Sequence, residues 1–176
     1  DQVDVLVAEY HEGAAQGDAS GTTLDQALAQ GRAFARIVTE TDADVDAIFT
    51  GHTHEEYAWD APIPGGEGTR PVLQTGNYGE NIGQVVLTID RASREVVAHE
   101  ARNVPRLEAE VVEDDDEQTA ENSAALDAEL IATYPRVAEV ADIVDRALAE
   151  AERVGSRPVG SVSADITTAF LGGAYV

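Results

Sequence analysis

The chain has 176 residues, with 34 Asp and Glu against 11 Arg, no Lys, no Cys and no Met, for a net charge of −23. That balance excludes nucleic-acid binding through a basic groove, and no apolar run approaches the roughly 18 residues of a membrane-spanning helix. A hydrophobic content of 43% permits one buried core, and a cysteine-free composition fits an exported protein as well as a cytosolic one.

Residues 3–8 (Val-Asp-Val-Leu-Val-Ala) form a short apolar, β-favouring run, followed by Glu9, Tyr10, His11, Glu12 and Gly13. A strand over 3–10 that delivers His11 at its carboxyl end is expected. One amphipathic helix follows, on which Leu24, Ala27, Leu28, Gly31, Phe34, Ala35 and Val38 keep helical spacing. Thr23 with Gln26 gives its capping box, and Arg32, Arg36 and Glu40 fall on its outer face. Residues 45–50 are the second strand, leading into Gly51-His52-Thr53-His54. In an extended segment His52 and His54 would point the same way. A βαβ crossover would bring both histidine motifs to one edge of a parallel sheet, where open α/β folds place their sites. A bare His-x-His is also compatible with an ordinary polar turn; the second motif and the crossover favour a metal site.

Residues 55–68, rich in Gly, Pro and acid, read as a solvent-facing loop carrying the only tryptophan, Trp59. A strand over 71–75 precedes the turn that holds Asn77, Tyr78 and Asn81. Asn77 and Tyr78 are candidates for the edge of the site, though Asn-Tyr-Gly is equally a plain turn. Residues 83–90 and 94–103 alternate as a β-hairpin around residues 90–93, with His99 assigned to the surface. An acidic tract over 108–129 reads as solvated loop and exposed helix start; lacking glycine, it is not an EF-hand loop. From Pro135 an amphipathic helix runs to about Gly155, and residues 157–166 read as a fresh strand.

Four ordered blocks carry a family resemblance. Residues 45–54 (Val-Asp-Ala-Ile-Phe-Thr-Gly-His-Thr-His) resemble the Gly-His-Thr-His block of calcineurin-like metallophosphoesterases, in the 5′-nucleotidase and 2′,3′-cyclic-nucleotide phosphodiesterase branch. Residues 5–13 are similar to that branch's His-Glu-Gly block, and residues 71–79 and 82–89 to its next strands. Residues 159–166 resemble the opening of the branch's carboxyl-terminal nucleotide-recognition domain.

The resemblance implies a dinuclear centre of two divalent ions (Zn, Mn, Fe or similar) that hydrolyses phosphate esters of nucleotides, with His11, His52 and His54 as metal ligands. The implied fold is α/β, a partial metallophosphoesterase β-sandwich with flanking helices, then a connecting helix and one terminal strand. Residues 1–104 would be the carboxyl half of the catalytic domain, 105–156 an acidic linker and connecting helix, and 157–176 the start of the second domain. Asp-x-His and Gly-Asn-His blocks of the family pattern do not occur in the chain. The chain is therefore read as an excised or processed piece, inactive alone and without a catalytic residue of its own. An amino-terminal half on another chain, or self-association, would complete it. The family points to a secreted or cell-surface location. The alternative is a non-catalytic binding or interaction module that keeps the scaffold without the chemistry.

Overall fold

The computed structural model describes residues 3–161, 163, 170–171 and 174–175. They divide into two units, the first ending at Leu107 and the second beginning at Glu108. The fold is mixed α/β, and among the described residues no helix is long and apolar enough to cross a membrane.

The first unit is built on a four-stranded sheet of order β1-β2-β4-β3, with β1 Val7–Glu9, β2 Ala47–Phe49, β3 Glu56–Pro62 and β4 Thr69–Thr75. β1, β2 and β4 are parallel, with Glu9 beside Phe49 and Phe49 beside Leu73; β3 returns antiparallel along β4. The expected crossover between the two histidine strands is thus present. The helix spanning it is not continuous: α1 is Leu24–Ala29 and α2 is Ala33–Glu40. Gly31 separates them at φ +63, the left-handed conformation that ends helices at glycine. The capping box of Thr23 and Gln26 is formed.

Alternation along the strands sorts the two faces. Ile48, Val72, Tyr57 and Ala61 join Phe34, Val38 and Ala27 from the helices in one core. Arg70, only 1% exposed, reaches from the same face to the end of α2. Its guanidinium donates to the carbonyls of Asp42 (2.6 Å), Val45 (3.0 Å), Thr41 (2.9 Å) and Val38 (3.4 Å). The opposite face receives the hairpin of β5 Asn81–Ile89 and β6 Val96–Pro105. There a Cβ on Gly83 would fall 2.9 Å from both Leu73 and Thr75 side chains, so glycine permits the close approach. Asn103 Nδ2 donates to Gln74 O at 2.9 Å and ties β6 to the sheet.

Two expectations change here. Residues 55–68 are not a loop, since most of their first half is β3, paired along its length with β4. Trp59 lies on that strand, stacked on Tyr57 at 4.2 Å and donating to Asp18 Oδ1 at 2.8 Å. Glycine and proline at 63–68 belong to the turn that follows, and their density masked a seven-residue strand. His99, assigned to the surface, is only partly exposed. Its side chain is 15% exposed and its Nε2 lies 2.8 Å from Asp60 Oδ1, because β6 packs against the sheet rather than standing free.

In the second unit α3 Asp116–Thr133 and α4 Pro135–Gly155 form a helical hairpin. Asp115 caps α3 by accepting from Gln118 N, and Pro135 opens α4. Neither helix has a buried residue. Two short strands, β7 Phe170–Leu171 and β8 Ala174–Tyr175, pair antiparallel. Of the strand expected over 157–166, residues 157–161 and 163 are not in strand conformation, and the others lie outside the described residues.

Candidate functional site

Three parallel strand ends meet at one edge of the sheet. Tyr10 N donates to Phe49 O and Thr50 N to Leu73 O, both at 2.9 Å, so the ladder continues one step beyond the strands. Past that step β1 delivers His11, β2 delivers residues 51–54, and β4 delivers Asn77 and Tyr78. This is the carboxyl edge at which open α/β sheets bind their ligands.

Gly51 N donates to Glu12 O at 3.3 Å and joins the first two turns. A Cβ on Gly51 would lie 3.5 Å from His11 Nδ1, so the turn runs directly beside the imidazole. The His11 and His52 rings face each other edge to face at 5.1 Å, and both residues are exposed. His54 stands with a different pair. Its Nδ1 is 3.4 Å from Asn77 Nδ2, and its ring is 6.0 Å from that of Tyr78. The structure therefore brings His11 to His52, and His54 to Asn77 and Tyr78.

The expected extended geometry of His52 and His54 does not hold. Both have left-handed backbones, with φ of 71 and 61, and Tyr78 follows at 49. Thr53 N donates to Gly51 O at 2.8 Å, closing a tight turn in place of a strand. Left-handed non-glycine residues cost on the order of 1–3 kcal/mol each and persist where their surroundings hold them. Strand alternation therefore says nothing of where these two imidazoles point.

A buried polar network lies beneath the turn. Gln74, 2% exposed on β4, donates from Nε2 to Thr53 Oγ1 at 2.8 Å and to the Tyr57 hydroxyl at 3.2 Å. The same hydroxyl accepts from Ala14 N at 3.1 Å and lies 2.6 Å from Thr50 Oγ1. Thr50 Oγ1 in turn donates to Leu73 O at 2.9 Å. Burial raises the Tyr57 pKa above its ordinary value, with Thr50, Ala14 and Gln74 opposing the rise. Sequence reasoning passed over Gln74 and Tyr57. The first was signalled by a polar side chain inside an apolar strand, a position that demands hydrogen-bond partners; the second lay in the segment read as a loop.

No protein-family model, curated protein or solved structure matches the chain.

The donor chemistry allows a limited metal site. Two exposed imidazoles at this separation suit two positions on one borderline divalent ion. Among the described residues no three His, Asp or Glu side chains gather to hold an ion. His11 and His52 are thus the two side chains at this edge that could share one ion.

Proposed function

We propose that the chain is part of a metal-dependent phosphohydrolase resembling 5′-nucleotidases, with His11 and His52 as two ligands of one divalent ion and His54 as a ligand of a second. The observation that carries the reading is the meeting of two imidazoles from the carboxyl ends of adjacent parallel strands, His11 after β1 and His52 after β2. When bound, such ions supply charge neutralisation to a phosphate ester and a nucleophile at neutral pH. Neutralisation matters here, since a net charge of −23 otherwise disfavours the approach of a phosphate. On this reading Asn77 and Tyr78, which lie beside His54, contact the substrate.

The remaining ligands come, on this reading, from a further polypeptide segment or a second copy. β1 supports that requirement. It pairs with β2 along one side, and Val7 is 44% exposed although parallel strands are ordinarily covered on both faces. A secreted or cell-surface location belongs to the same proposal and rests on the family resemblance alone.

The test is phosphate release from AMP with Mn²⁺ or Zn²⁺ and an EDTA control, run on this chain and on its longest reading frame. EDTA-sensitive release by the longer protein, abolished in His52→Ala, is the expected result. A longer frame without Asp-x-His and Gly-Asn-His blocks, and without turnover, would overturn the reading in favour of a binding module.

A further inference from the structure

The buried polar network under the histidine turn is satisfied by one run of hydrogen donation. Thr50 spends its hydroxyl proton on Leu73 O. Its oxygen, 2.6 Å from the Tyr57 hydroxyl, must then accept the Tyr57 proton. With that proton committed, the Tyr57 oxygen can only accept from its other neighbours. It does so from Ala14 N and, at 3.2 Å, from the Gln74 carboxamide. The Gln74 amide orientation follows: nitrogen, not oxygen, must face Tyr57. The second Nε2 hydrogen is then directed to Thr53 Oγ1, the residue between the two left-handed histidines.

Space around this contact is closed. A Cβ added at Gly13 would overlap Gln74 Nε2 and lie 2.8 Å from both Gly51 O and Thr53 Oγ1. Gly13 itself is buried, and a side chain there would meet the backbone of the histidine turn. The His11 turn, the Gly51 turn and Gln74 thus interlock around Gly13.

We infer that Gln74, oriented by Tyr57, is the positioning residue of the histidine turn: its grip on Thr53 holds the left-handed backbones of His52 and His54. For its effect on metal binding this rests on the proposed function; for the geometry of the turn it does not.

The experiment is imidazole ¹H–¹⁵N correlation spectroscopy at fixed pH on the metal-free chain and on Gln74→Met, Thr53→Val and Thr53→Ser. Met keeps the volume of Gln without the donor, Val removes the acceptor, and Ser restores it. The His52 and His54 signals shift or split in Gln74→Met and Thr53→Val, return to wild-type positions in Thr53→Ser, and leave His99 unchanged. Wild-type His52 and His54 signals in both Gln74→Met and Thr53→Val would overturn the inference. Should Gln74→Met fail to fold, the Thr53 pair decides alone, because Thr53 is only partly buried. Zn²⁺ titration forms a second arm, in which both disruptive variants weaken binding by about 10- to 100-fold, as loss of a supporting hydrogen bond does at metal sites. A wild-type chain that binds no Zn²⁺ would sink the metal reading, while the metal-free spectra would still decide the role of Gln74.

Discussion

The sheet unit and the helical hairpin meet the cost of ordering their backbones in opposite ways. In the first, side chains from α1, α2 and four strands share one core, and buried polar groups such as Arg70, Tyr57 and Gln74 knit the backbone beneath the site. In the second, α3 and α4 bury no residue fully, and Val140, Ile143 and Leu148 are each more than half exposed. Helices of this kind rest on caps, helix propensity and local pairs such as Arg153 with Glu150. A turn with left-handed histidines needs the first kind of support. The difference between the units is a difference in what holds each backbone.

Two probes separate them. Trp59 is the only tryptophan and lies in the sheet unit, whereas α3 and α4, at 18 and 21 residues, dominate the helical circular dichroism over α1 and α2 at 6 and 8. The largest effect is expected from Arg70→Ala. It strips donors from the carbonyls of Val38, Thr41, Asp42 and Val45 and should destabilise the Trp59-reported urea transition by about 3 kcal/mol. The circular dichroism of α3 and α4 should persist. Loss of both signals in one transition would show that the units unfold together and would break the comparison.

Tyr57→Phe comes next. It leaves Ala14 N and Gln74 Nε2 without their shared acceptor and should cost about 1–3 kcal/mol in the same transition. Its pH signature has a definite sign. Folding raises the Tyr57 pKa above that of the unfolded chain, chiefly by burial. The contribution is therefore intact below the unfolded value of about 10 and is lost as pH rises from there through the folded value. The alkaline fall in wild-type stability should be shallower in Tyr57→Phe, and identical slopes would contradict the buried hydroxyl. The smallest effect is expected in the hairpin. Asp115→Ala removes the side-chain acceptor at the start of α3 and should cost that helix about 1 kcal/mol, visible in helical circular dichroism and invisible to Trp59.

Much of this framework was legible in the sequence, for reasons that can be named. Residues 3–10, 45–50 and 71–75 were strongly apolar and β-favouring; the first two enclose β1 and β2, and the third lies within β4, which begins two residues earlier at Thr69. Thr23-x-x-Gln26 and Pro135 marked helix starts because capping is a local interaction. What escaped was non-local. The apolar stripe of 24–38 ran through Gly31, and periodicity alone could not see that the backbone turns left-handed there. β3 was hidden by the glycines and prolines beside it, and with it went Tyr57 and the stacked Trp59. At the site, strand ends placed His11 beside His52 correctly. The alternation argument for His52 and His54 failed because both take left-handed backbones in a turn, a conformation that strand periodicity does not encode.

The central claim is that His11 and His52 act together on one ion. Isothermal titration of the wild-type chain with Zn²⁺, beside His11→Ala, His52→Ala and the double variant, tests it most directly. The account predicts that either single substitution removes most of the affinity and that the double variant loses little more, because the two imidazoles serve one site. Independent, additive losses, or a wild-type isotherm matched by His52→Ala, would contradict it.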